Sequence, residues 1–186
     1  MSDKLIGEIK SVDDFSDPDI ELFRNALETI IIPKGDYFLK AGQVSRYIGY
    51  IESGLVMYYK LNDGNEIPCD FAIENEWITY LKSFTSGTES DMYIRALEDT
   101  HLLALSGASI GSLFQAQPKF MALRNYYTDL AFVRSSSHAV NLASLNAKER
   151  YEIFMKEHPE LIKRVPQYYI AAYLGIKPQS LSRLRK

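Results

Sequence analysis

From residue 29 to residue 106 the chain reads as a series of short segments, each rich in β-branched or aromatic residues and none long enough for a regular helix. The segments are 29–32, 37–39, 47–51, 55–61, 66–71, 93–97 and 101–106. Turn chemistry separates them: Pro33-Lys34-Gly35-Asp36, Ala41-Gly42-Gln43, Glu52-Ser53-Gly54 and Asn62-Asp63-Gly64-Asn65. Many short strands at regular intervals, joined by glycine turns, can bury a common core only by closing on one another. This predicts an antiparallel roll or jelly roll. The clearest hairpin is centred on Asp63-Gly64, because that pair readily takes the positive φ values of a tight turn.

Outside the roll the period becomes helical. Ile20, Phe23 and Leu27 predict a short helix over 19–27, residues 109–115 predict another, and Pro118 is expected at the first position of a long one. Along that long helix Leu123, Tyr126, Leu130, Val133, Ser137, Val140 and Ser144 are spaced alternately three and four apart, the seam of a coiled coil. About 25 residues would make it roughly 37 Å long. Phe120, Tyr127 and Ala131 form a second apolar face able to cover the roll, which would leave the seam for a second copy. The alternative is that the seam packs on its own roll, since two of its positions are serine. A homodimer joined through Leu123, Tyr126, Leu130, Val133, Ser137 and Val140 is the expectation adopted here. Asn146 with Glu149 has the form of a capping box, so a new helix is expected to run from there to about 158. The expected fold class is therefore α+β: a β-roll over 1–117, a long dimerisation helix and hinge over 118–145, and an all-α domain over 146–186.

The last twenty residues carry the most specific signal. Ile170, Ala171 and Leu174 supply the inner face of one helix, Gly175 can take a left-handed turn, and Ile176, Leu181 and Leu184 lock a second helix against the first. Pro166 and Pro178 fall where a first helical turn tolerates proline. This is the pattern of a helix-turn-helix. An αα-hairpin with no nucleic-acid role is the competing reading. Charge favours the first: residues 146–186 carry 9 Lys and Arg against 4 Asp and Glu, whereas residues 1–145 carry 12 against 20. With the leucines inward, Lys177, Gln179, Ser180, Ser182, Arg183, Arg185 and Lys186 make up the DNA-binding surface. Gln179 suits adenine and Arg183 guanine in a major groove, while Lys177, Arg185 and Lys186 suit phosphates.

These motifs together resemble those of the Crp/Fnr regulators from about residue 20 to the end. The resemblance rests on Ile32-Pro-Lys-Gly35, Gly42, Tyr50-Ile-Glu-Ser-Gly54, Ile94-Arg-Ala-Leu97, Asn141-Leu-Ala-Ser-Leu145 and the terminal helix-turn-helix. It implies a one-component bacterial transcription regulator: a cyclic-nucleotide-binding-type roll, a parallel dimer along the long helix, and two-fold symmetric operators with half-sites about 34–36 Å apart. The partners implied are double-stranded DNA and a second copy of the chain, with RNA polymerase a further candidate. Glu76 matches the family acid that accepts from a ribose hydroxyl, and Ser135 and Ser136 match hydroxyl positions near the base. The phosphate cradle departs from the pattern. Where binding members have Arg-Ser, this chain has Ser90-Asp91, and a carboxylate there would repel the anion an arginine attracts. Cyclic AMP is therefore not expected. Glu76, Ser90, Asp91, Ser135 and Ser136 remain candidate contacts for an unidentified small-molecule effector, with Glu76 as a plain turn or capping acid the alternative. The chain also stops after its second terminal helix, without the β-hairpin wing usual in the family. Either the shorter domain binds weakly alone and depends on dimerisation, or Lys148, Arg150, Lys163 and Arg164 stand in for the wing's phosphate contacts.

Other functions lack their residues. His101, His138 and His158 have no metal-ligand spacing, the single Cys69 excludes an internal disulfide, and no nucleophile elbow or phosphate-binding loop is present. No cofactor, no metal site and no catalysis are expected. A roll that signals through protein contacts is the alternative to a DNA-binding regulator. With 46% hydrophobic and 24% charged residues, no spanning segment and no secretory leader, the chain is expected to be soluble and cytoplasmic, with no membrane partner.

Overall fold

The computed structural model describes residues 1–184. These divide into two compact units: Met1–Met57 with Ala72–Leu130, and Tyr58–Phe71 with 131 onward. The divisions differ from the expected boundaries at 117 and 145. The reason is that strands 55–62 and 65–73 and the long helix each contribute to both units.

The first unit opens with two helices, α1 (Asp3–Val12) and α2 (Asp17–Asn25). The sequence reading missed α1, whose Leu5 and Ile9 are fully buried. Ser16 caps α2 with Asp19 reciprocating, and this is why α2 starts at Asp17, two residues ahead of the expected position 19. Asp19 also meets Lys119 at 2.5 Å. The Lys119 ammonium and then the Ser16 hydroxyl hold its carboxyl well below the usual carboxylate range.

The roll consists of two four-stranded sheets. Its strands are β1 (Glu28–Ile32), β2 (Tyr37–Leu39), β3 (Tyr47–Ser53), β4 (Leu55–Asn62), β5 (Asn65–Ile73), β6 (Trp77–Ile78), β7 (Tyr93–Ala96) and β8 (Thr100–Ser106), ordered β1-β8-β3-β6 and β2-β7-β4-β5. The short β6 was not anticipated. The β1–β8 register runs without interruption from Glu28 opposite Ala104 to Ile32 opposite Thr100. The β3–β8 register slips between Ile51 and Ser53, leaving a bulge just before the turn into β4. The expected hairpin turn is present, with positive φ at both Asp63 and Gly64.

Between β6 and β7 lies α3 (Leu81–Ser86), and after β8 come α4 (Gly107–Ala116) and the long α5 (Phe120–Ser144). Pro118 does not open α5 as expected. It lies in a turn whose carbonyl accepts from Met121 N–H at 3.0 Å, so the helix begins two residues later. Phe120 stacks on Phe15 and Phe23 at 5.1 and 5.7 Å, and Tyr127 meets Trp77 at 5.5 Å. Leu123 belongs to the same core and is only 5% exposed. Its assignment to a dimer interface is thereby corrected: i, i+3 and i+7 from Phe120 share one helix face, and that face is the one the roll covers.

Gly54, between β3 and β4, has φ +113°, and a Cβ placed there would lie 2.5 Å from Thr100 Oγ1 and 2.7 Å from the Asp99 carbonyl. Gly54→Ala is expected to cost on the order of 3 kcal/mol through backbone strain and overlap together. A denaturant midpoint unchanged from wild type would show that the turn can relax.

Candidate nucleic-acid interface

In the second unit Asn146 accepts from the N–H groups of Lys148 and Glu149, and the Glu149 carboxylate accepts from Asn146 N–H at 2.8 Å. This is the expected capping box, and it starts α6 (Ala147–Glu157). Pro159 then ends α6 and opens α7 (Pro159–Arg164), a helix the sequence reading did not separate. α8 (Gln167–Tyr173) and α9 (Pro178–Leu184) follow.

The turn between α8 and α9 is built as the composition requires. Gly175 adopts φ +65°. Its N–H donates to the Ala172 carbonyl at 3.0 Å and the Ile176 N–H donates to Ala171 at 2.9 Å, a complete Schellman closure that reverses the chain in few residues. Ile170, Ala171, Leu174 and Leu181 are buried as expected, while Ile176 and Leu184 are only partly so. Lys177, Gln179, Ser180, Ser182 and Arg183 are all exposed. With Leu181 inward, these side chains form an outward row that mixes hydrogen-bonding and cationic groups. Arg185 and Lys186 lie outside the described residues.

The basic residues considered as substitutes for a wing divide by what they already bind. Arg150 is a structural residue: its Nε donates to the Leu174 carbonyl at 2.8 Å and its Nη1 to the Leu145 carbonyl. It thus holds the end of α8 against the hinge, and two of its donors are committed to that contact. Lys163 pairs with Glu160 and Lys148 with Glu152, both on their own helices.

The second unit also contains a support that the sequence did not reveal. Asp70 of β5 accepts from Arg134 of α5 at 2.8 Å, Arg134 also donates to the Phe71 carbonyl, and the Tyr169 hydroxyl of α8 donates to the Glu66 carboxylate of β5. Phe71 is fully buried and meets Tyr173 of α8 edge-on at 5.5 Å. The first helix of the pair is therefore fastened to the β4–β5 hairpin. These partners stand 64 and 103 positions apart in sequence, so no local spacing could have announced them.

Three of the five effector-contact candidates, Glu76, Ser90 and Asp91, have observed neighbours. The Glu76 carboxylate accepts from Ile73 N–H at 2.9 Å beside Asn75, which has φ +70°. Ser90 is buried and its hydroxyl both accepts from and donates to Met92 backbone. Asp91 is exposed, accepts from the Tyr80 hydroxyl at 2.6 Å and faces Lys82 at 4.0 Å. These three lie in the first unit. Ser135, exposed, and Ser136, half-buried, lie in the second. Along α5 the remaining seam residues Tyr126, Leu130, Val133, Ser137 and Val140 are exposed, Val133 at 60%, and so is Ala131. Phe132, which the seam did not include, is 72% exposed. Among the described residues no cluster of metal-ligating side chains occurs, and no helix is long and apolar enough to cross a membrane.

Residues 29–117 match the family model described as the cyclic nucleotide-binding domain. Among solved structures the chain is similar to FixK2 from Bradyrhizobium japonicum, with 18% identity over 86% of this chain and 82% of that one and a TM-score of 0.70. It is also similar to the c-di-GMP responsive global regulator CLP from Xanthomonas campestris, with 17% identity, 91% and 89% coverage and a TM-score of 0.71. A third likeness is to a transcriptional regulator assigned to the Crp/Fnr family from Eubacterium rectale, with 16% identity, 92% and 82% coverage and a TM-score of 0.67. A comparison with curated protein sequences finds no match. Residues 29–117 are thus similar to the cyclic nucleotide-binding domain, and over most of its length the chain shares the fold of these solved structures.

Replacing Arg150 with Met keeps much of its stem but removes the donors from two carbonyls. The expected loss is about 1–3 kcal/mol, concentrated in α8 and α9. Hydrogen exchange that rises equally in β3 and β8 would show that Arg150 has no such local role.

Proposed function

We propose that this protein is a homodimeric transcription regulator that binds double-stranded DNA in a sequence-specific manner through α9, under the control of a small molecule sensed by its β-roll. The observation that carries the reading is the construction of α8 and α9. A Schellman turn at Gly175 and a buried Leu181 leave Gln179, Ser180, Ser182 and Arg183 outward on one short helix. The likeness of the whole arrangement to the Crp/Fnr fold supports it. Gln179 and Arg183 read adenine and guanine edges, and Lys177, Arg185 and Lys186 hold phosphates. RNA polymerase is the downstream partner such a regulator would meet.

The support for dimerisation is the exposed face of α5. Tyr126, Leu130, Val133 and Val140 repeat at three- and four-residue steps and are between 42% and 61% exposed, an apolar stripe that a second copy would cover. Leu130→Glu combined with Val133→Glu is expected to convert a dimer into a monomer in sedimentation analysis and to abolish two-fold symmetric DNA binding. A dimer that survives both charges would show that another surface joins the subunits.

The effector is expected not to be cyclic AMP. Asp91 brings a carboxylate next to Ser90 where an arginine would be needed for a phosphate, and it already has Tyr80 and Lys82 as neighbours. Millimolar cyclic AMP should leave the melting temperature and DNA affinity unchanged, and a clear rise in either would refute this.

Selection of bound duplexes from a random pool tests the whole reading, since a dimeric reader returns inverted half-sites about 34–36 Å apart. On the selected duplex, Arg183→Ala should relax preference at one base pair per half-site, a change of roughly 1–3 kcal/mol. Uniform weakening across sequences would make Arg183 a phosphate contact. Affinity should also fall steeply with salt as counterions are released. No enrichment, with salt-independent capture of a protein partner, would favour the protein-signalling alternative.

A further inference from the structure

In the second unit Tyr173 of α8 is the centre of a ring cluster. The imidazole of His138 from α5 lies almost parallel to it, with centroids 4.2 Å apart and planes at 13°. Phe71 of β5 and Phe154 of α6 meet the same ring at 5.5 and 5.6 Å, and Phe154 in turn meets His158 at 5.4 Å. Two of the chain's three histidines therefore flank the contact that joins the hairpin to the first helix of the reading pair. We propose that this cluster is a proton-operated latch: with His138 neutral, the β4–β5 hairpin and α8 are held together through Tyr173, and proton uptake by His138 opens the contact.

The charges facing His138 decide the direction. From β5 Asp70 favours the imidazolium, but that carboxylate is already paired with Arg134. From α5 Arg134 opposes it, and so does His158 at the α6–α7 junction. From α8 Tyr173 presents its ring face, which attracts a cation weakly. Burial outweighs these, and it pushes the imidazole below its ordinary value of 6.5. The sign follows. A base whose proton affinity is lower in the closed state stabilises that state above its ordinary value, and this contribution is lost as pH falls through 6.5 toward the depressed value. The closed latch is a neutral-pH state, and mild acid releases α8 from the hairpin. As a regulatory device the latch rests on the DNA-binding reading above, whereas its opening does not.

The test uses the full chain and amide hydrogen exchange corrected for intrinsic rates. In the wild type, protection of 58–71 and 167–173 should fall together between pH 7.5 and 5.5, by up to about tenfold per pH unit, the limit for one proton. His138→Phe keeps a stacked ring that cannot titrate, and its protection at pH 5.5 should remain at the neutral-pH level. Equal loss in the wild type and H138F would overturn the latch. If H138F folds poorly, NMR titration of the wild-type His138 ring decides, because a midpoint at or above 6.5 also overturns it. Binding to a mixed-sequence duplex at the two pH values then tests the regulatory role. A pH response larger in wild type than in H138F supports it, and identical responses refute it. A chain that binds no DNA at all would refute the regulator reading while leaving the exchange and titration results intact.

Discussion

The burial of one face of α5 is the constraint on which the rest depends. Phe120, Leu123 and Tyr127 insert among Phe15, Phe23 and Trp77 and thereby set the rotation of the helix about its own axis. Each residue advances about 100°. Once those three point inward, Val133 and Val140 turn away from that face, whereas Leu130, seven residues after Leu123, keeps nearly its direction; all three are exposed, as is Tyr126. The lone Phe132 follows from the same rotation, since it lies about 200° from Leu130 and far from the covered face.

The second unit shows a comparable division of labour between apolar burial and polar closure. Ile170, Ala171, Leu174 and Leu181 bring α8 and α9 together, but these side chains do not satisfy the helix ends. The Schellman bonds at Gly175 and the two donors of Arg150 do so, and they remove carbonyls that would otherwise cost about 1–3 kcal/mol each. Arg150 is basic for an internal reason, so net charge overstates what this segment can offer to phosphates. The exposed Lys177 and Arg183 are a better measure of it.

Much of the roll was legible because strands announce themselves locally. Turn residues such as Asp63-Gly64 carry their conformation with them, and seven of the eight strands were found from β-branched and aromatic segments between such turns. The exception, β6, is two residues long and exists because it pairs with Gly49 and Tyr50 of β3. The helix α1 was missed for a related reason: Leu5 and Ile9 alone are a weak stripe, and only the core they enter makes the helix worthwhile. Leu123 was read into the seam because it keeps the three-four spacing with Tyr126 and Leu130. Spacing cannot say which of two adjoining stripes a roll will cover.

Sequence by itself determined several local conformations: the Asp63-Gly64 turn, the capping box at Asn146, the reversal at Gly175, and the outward row of Gln179, Ser180, Ser182 and Arg183 once Leu181 is inward. These depend on residues within about four positions of one another, where backbone sterics and short hydrogen bonds dominate. Only the tertiary structure decided that Arg134 would meet Asp70, that Tyr169 would meet Glu66, and that His138 would lie on Tyr173 beside Phe71. Those partners are distant in the chain and chemically ordinary, and nothing but the closure of the hairpin onto the terminal helices makes them neighbours.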